Sequence, residues 1–234
     1  MAQFPDSTFL GENETILTPT YKEQAYDLLK EAILYRRLKM DEVYSQDGLC
    51  AALKISRTPV REALLELQKE GYITFLRGRG IKIVSLTRKE AVDIVEMRAI
   101  IEQSGAELAA QRAGAEVLSR MQQNLSEMRR TNQSQMEAVA LYKLDRQFHR
   151  CIFEAAGNSK LLESVENLRD QFLRVETLDA FSSPEKSRDV ANEHEAIYKA
   201  IAAGDATLAK EMMREHLRRT YERTVKAVLE ARLE

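Results

Sequence analysis

Three histidines and one aspartate are the residues of this chain whose types could hold a cation. His149, His194 and His216 are its only histidines. The run "LDRQFHRCIFEAAGN" sets Asp145 four residues before His149, hence on one face of a helix. His194 neighbours Ile197 and Ala200 at helical spacing, and His216 stands among Met212, Leu217 and Thr220. Three imidazoles and a carboxylate suit a divalent transition metal, Zn²⁺ first, with Ni²⁺ or Mn²⁺ as alternatives, and leave one or two coordination positions for water or a ligand. A histidine beside apolar residues is also an ordinary core residue, and this spacing is no compact metal motif, so spacing alone leaves both readings standing. A second group is cationic. Arg57 and Arg61 flank a Thr-Pro pair in "ISRTPVREALLELQKEGYI", and Arg77 and Arg79 punctuate "LRGRG". Arginines on the first turns of a helix can fork onto guanine O6 and N7 in a major groove, each contact worth about 1–3 kcal/mol of base discrimination. A solvated arginine face on a small helical bundle would give the same pattern.

Elements must position these groups. Ala25, Leu28, Leu29, Ala32, Ile33 and Leu34 recur at helical spacing from Tyr21 onward. Ser45 can cap a short helix through "QDGLCAALK". Thr58 as N-cap, with Pro59 at the first helical position, opens a third helix that ends near Gly71. Val60, Leu64 and Leu67 share its inner face. "YITF" and "IKIV" read as two strands joined at a glycine-containing turn. From Thr87 the pattern is helical throughout, with helices expected near 88–112, 115–131, 134–156, 159–180, 184–203 and 206–232. The expected fold is therefore mainly α: an N-terminal winged helix-turn-helix of three helices plus a β-hairpin, then an all-α antiparallel bundle of about six helices. The expected divisions are a flexible N-terminal tail at 1–19, a DNA-binding domain at 20–86 and an effector, metal and dimerisation domain at 87–234.

The bulk numbers narrow the class. At 44% hydrophobic and 31% charged, the 234-residue chain has the composition of a folded, helix-rich protein. No apolar run of about 18 residues occurs, so no membrane span is expected. The first 20 residues lack the pattern of a secretory signal. Cys50 and Cys151 are far apart and form no C-x-x-C, which reads as two reduced thiols in a cytoplasmic protein. The net charge is −2, but residues 20–85 carry +3 between flanks of −3 and −2. Any binding to nucleic acid must rest on a local patch rather than a general field.

"ISRTPVREALLELQKEGYI" followed by "RGRGIKIV" closely resembles the signature of GntR-type winged helix-turn-helix regulators. The resemblance implies base contact by Arg57 and Arg61, and DNA contact by Thr58, Arg77 and Gly78. One departure is visible: the Pro-Gly turn usual after the first helix is replaced here by "YRRLKMDEVYS". The D-x-x-x-H helix, its "AAGN" ending and "EHEAIYKAIAAGDATLAKEMMREHL" look like the all-helical ligand domain of the FadR branch, and the likeness covers the chain from about residue 20. In the metal-binding members of that branch, an aspartate and three histidines hold a metal inside the bundle, which implies Asp145, His149, His194 and His216 as the ligands here. "EMRAIIEQSGAELAA" resembles the branch's first ligand-domain helix, and Arg98 falls where that helix faces the cavity. Its guanidinium could pair with a carboxylate effector. Asn158 and Arg174 are further effector candidates, with surface or intramolecular pairing as the competing role for both arginines.

The implied function is a homodimeric, metabolite-responsive repressor that grips a near-palindromic double-stranded DNA operator and senses a small carboxylate near the metal. A metal-dependent hydrolase is the alternative from another class, since an open metal position can acidify water. Against it, the histidines are all used as ligands, and Glu195 and Glu215 are sequence neighbours of ligands whose side chains project about 100° away. A purely structural metal is the third reading.

Overall fold

A computed structural model describes residues 19–133, 138–176 and 180–231; of the tail expected at 1–19, residues 1–18 lie outside the described residues. The chain divides between Val84 and Ser85 into two compact units.

In the first unit, α1 (Tyr21–Leu34) begins at a capping box. Thr20 Oγ1 accepts from the Glu23 amide at 3.2 Å, and Glu23 Oε2 accepts from the Thr20 amide at 2.7 Å. Ala25, Leu29, Ile33 and Leu34 are buried, whereas Leu28 is exposed. The departure segment after α1 folds through two non-glycine left-handed residues, Arg36 (φ 58°) and Asp41 (φ 61°). Arg36 thus does what a glycine usually does at a helix end. It leads into a short strand, β1 (Val43–Tyr44), which periodicity cannot reveal in two residues. Ser45 caps α2 (Gln46–Leu53), accepting from the Gly48 amide at 3.0 Å. Helix α3 (Arg57–Lys69) starts earlier than expected: Ser56, not Thr58, is its N-cap, and Pro59 sits in its first turn. The first four amides of a helix lack i−4 acceptors, so proline is tolerated there beyond the first position.

Strands β2 (Ile73–Leu76) and β3 (Gly80–Ile83) form the expected hairpin, and β1 adds to the free edge of β3 in an antiparallel sheet of order β1-β3-β2. Gly80 (φ 114°) is required twice over, because a Cβ there would lie 2.2 Å from the Tyr44 carbonyl oxygen. Val60, Ala63, Leu64 and Leu67 of α3, with Tyr72, Ile81 and Ile83, are buried in this unit.

The second unit is helical. A Thr87–Glu90 capping box opens α4 (Arg88–Arg112). It is followed by α5 (Ala115–Gln133), α6 (Ala138–Ala156), α7 (Ser159–Val175), α8 (Pro184–Ala202) and α9 (Ala206–Thr220). Helix α4 packs on α6, α7, α8 and α9, and α5 packs on α6 and α8. Ala106, Phe148, Ile152, Ile197 and Met213 lie in the main apolar cluster. Gly105 lets α6 approach closely: a Cβ would fall 2.7 Å from the Phe153 ring. Two boundaries differ from expectation. Helix α7 ends at Val175, not near 180, because Glu176 turns extended (ψ 155°). The last expected helix is interrupted by a π turn at Tyr221–Val225 before α10 (Lys226–Ala231).

Candidate metal centre and nucleic-acid interface

Helices α6, α8 and α9 bring Asp145, His149, His194 and His216 together, with one ligand atom from each lying within 4.8 Å of the others. The inward stripes of these helices, which also carry Phe148, Ile197 and Met213, bury the three rings to 2% exposure or less. His194 stacks on Phe148, ring centroids 4.3 Å apart. Its Nε2 is 3.4 Å from Asp145 Oδ1, and the His149 Nε2 is 3.9 Å from the same oxygen. The Nε2 atoms of all three histidines are buried without a hydrogen-bond partner. Three ring nitrogens without hydrogen-bond partners around a carboxylate make a poor protein core and a suitable cation cage, so these residues fit a divalent metal.

Electrostatics favours the ligand-competent forms. Burial, reinforced by Arg169, pushes His149 down to about 3, and burial pushes His216 down to about 4 despite the opposing Glu193. Both imidazoles are therefore neutral near pH 7. Burial opposes the charge on Asp145, but Arg169 and the facing histidines outweigh it and hold the carboxyl well below its usual range.

Sequence reading missed the groups that orient these ligands. Glu193 Oε2 lies 2.8 Å from His216 Nδ1 and is itself gripped by Arg223 at 2.6 and 2.9 Å. Glu102 lies against His149 Nδ1. It also receives Arg98 Nε at 2.5 Å and Arg169 Nη1 at 3.2 Å. Arg169 bonds Asp145 as well. A carboxylate behind a ligating histidine fixes its tautomer and ring direction. The available signal was slight: Glu102 is four residues after Arg98 on α4, and Glu193 directly precedes His194 yet serves the histidine of the next helix.

A cavity of about 30 Å³ adjoins the cluster, its wall including Asp145, His216, Arg98, Arg169, Glu176 and Tyr142. Arg98 is fixed there by Glu102 and by the Phe172 ring, 3.9 Å from its Cζ. Burial raises Glu176 to about 7 despite Arg98. The other two effector candidates do not line this cavity. Asn158 is an exposed N-cap whose Oδ1 accepts from the Lys160 and Leu161 amides at 3.0 and 3.2 Å, and Arg174 is buried with its Nη1 donating to Gln171 at 2.6 Å. Glu195 and Glu215 pair with surface cations, Lys199 at 2.9 Å and Arg218 at 2.7 Å.

In the first unit, Arg57, Thr58, Arg61 and Gly80 line one concave face with Asp47 and Ser45. Arg57, Thr58 and Arg61 project to solvent from the start of α3 while Val60, Ala63 and Leu64 face the core. Arg77, Gly78 (φ 70°) and Arg79 form the exposed turn between β2 and β3.

Comparison with known proteins assigns both parts of the chain to families. Residues 21–83 match the bacterial regulatory proteins of the gntR family, and residues 93–219 match the FCD domain. The HTH-type transcriptional regulator YdhC of Bacillus subtilis is 27% identical over 213 residues, spanning 91% of this chain and 94% of that one. The HTH-type transcriptional repressor GlaR of Escherichia coli is 28% identical over 199 residues, 82% of this chain and 90% of its own. The fold matches that of E. coli McbR/YncC with a TM-score of 0.77 at 19% identity, covering 93% of this chain and 100% of the other.

Proposed function

The chain belongs to the gntR family of bacterial regulatory proteins and carries an FCD domain, and from that premise we propose a metal-containing repressor released or engaged by a small carboxylate. It is a transcriptional regulator and not an enzyme, which removes the hydrolase alternative. No helix among the described residues is long and apolar enough to cross a membrane.

On this reading Arg57 and Arg61 contact operator bases, Thr58 contacts phosphate, and Arg77 and Gly78 bring the wing to the neighbouring groove. Asp145, His149, His194 and His216 hold the metal, with zinc favoured by the three-nitrogen, one-oxygen donor set. When bound, the ion supplies a Lewis-acid position for an anionic ligand. The observation that carries the proposal is the cavity whose wall contains Asp145 and His216 together with Arg98 and Arg169. Glu102 and Asp145 already balance those two arginines. A divalent ion adds two positive charges, which an anion would offset. The cavity has room for water or a small anionic group beside the ion.

A second copy of the chain is the proposed dimer partner. The outward face of α4 exposes Val92, Met97 and Ile100, which supports that helix as part of the interface. The effector acts only through different affinity for two arrangements of the dimer. Selection of sequences from a random duplex pool by the metal-loaded protein tests the proposal. Recovery of a near-palindromic consensus is expected, and failure to enrich any sequence overturns it.

A further inference from the structure

We infer that Asp47 is a positioning residue for Arg57: it presents the guanidinium to a guanine and so sets the base preference at one operator position. The inference rests on the DNA-reading role proposed for Arg57.

Asp47 lies in the first turn of α2, and Arg57 is the first residue of α3, ten positions later. Their side chains meet fork to fork, Nε to Oδ1 at 2.9 Å and Nη2 to Oδ2 at 3.0 Å. A guanidinium has five N–H donors on a rigid plane. The carboxylate takes the Nε–H and one Nη2–H. The opposite edge, made of Nη1 and the remaining Nη2–H, stays available as the two-donor edge that matches guanine O6 and N7. A flexible side chain is thereby aligned before DNA arrives, so less rotamer freedom is lost on contact. Arg61, on the same concave face, has no ion pair among the described residues.

Stability does not account for this pair. The side chains are 79% and 68% exposed, and ion pairs so solvated contribute little to folding. A carboxylate on a face that meets phosphates also weakens general attraction to DNA. Asp47 therefore lowers affinity for unrelated sequence while raising discrimination at one base. A residue serving only the fold would not move those two quantities in opposite directions.

The test uses the full chain and the consensus duplex that it selects from a random pool. Affinities are measured for the wild type, Asp47→Ala, Asp47→Asn, Arg57→Ala and the Asp47→Ala/Arg57→Ala double variant. The duplexes are the consensus, its single-base variants and an unrelated sequence. Asp47→Ala and Asp47→Asn are expected to lose about 5- to 30-fold discrimination at the position that Arg57→Ala also relaxes. Other positions keep their preference, the unrelated duplex binds equally or more tightly, and Asp47→Ala adds no further loss in the Arg57→Ala background. Unchanged discrimination in both Asp47 variants, or equal loss at every position, overturns the inference while leaving the DNA-reading role intact. If the wild type selects no sequence, that role fails and the inference fails with it.

Discussion

Removing the metal should leave three buried ring nitrogens without a hydrogen-bond partner in the protein. The Nε2 atoms of His149, His194 and His216 have no hydrogen-bond partner among the described residues, and their rings are at most 2% exposed. An unsatisfied buried polar group costs about 1–3 kcal/mol, so the three together come to about 3–9 kcal/mol. In a chain of this size 1 kcal/mol moves the melting temperature by about 2–4 °C. Metal bound in large excess over its Kd should therefore raise melting by at least about 6 °C; a 100-fold excess alone is worth about 2.7 kcal/mol. Scanning calorimetry on chelated and zinc-loaded protein, paired with metal analysis, measures the shift. His149→Ala should abolish both stoichiometric metal and the shift. An unchanged melting temperature on loading, or a full shift in His149→Ala, would show that these nitrogens do not hold the ion.

Two further outcomes are expected. Arg57→Ala and Arg61→Ala should each cost about 1–3 kcal/mol of operator discrimination with the fold intact, whereas Arg77→Ala should weaken all duplexes alike and lower the salt slope by about one; equilibrium binding at several salt concentrations separates the two patterns. Metal-free protein should lose stability as pH falls below the unfolded histidine value of about 6.5. His149 at about 3 and His216 at about 4 refuse protons that the unfolded chain accepts, so their contribution is fully present above 6.5 and drains as pH drops toward those values. At pH 5 the loss is about 2 kcal/mol for each, or about 4 kcal/mol together. Urea unfolding at pH 7 and pH 5 reads it, and equal midpoints would contradict the burial argument.

Local chemistry made much of the architecture readable. Capping residues Thr20, Ser45, Thr87, Asn158 and Asp205 stand at helix starts and accept from amides inside the first turn. What escaped depends on contacts distant in sequence or on segments too short for a period. β1 exists because Val43 and Tyr44 find β3 some forty residues on. Glu102 reaches His149 from another helix, and Arg169 joins it to Asp145 from a third. Asn158 accepts from the Lys160 and Leu161 amides as an N-cap, and Arg174 donates to Gln171. Arg98, expected to face the cavity, does line it, but with its Nε already committed to Glu102. The π turn after Thr220 follows no pattern visible in "YERTV", although it brings Arg223 onto Glu193.

A regulator of this kind couples the helical unit's ligand to DNA affinity. The direct measurement is anisotropy of a labelled consensus duplex titrated with zinc-loaded protein, with and without a small organic acid shown by calorimetry to bind that protein. The acid should change duplex affinity by about 5- to 150-fold, duplex should change acid affinity by the same factor, and chelation or His149→Ala should remove both effects. Identical duplex affinity with the acid bound, or an undiminished change in His149→Ala, would contradict coupling through the metal.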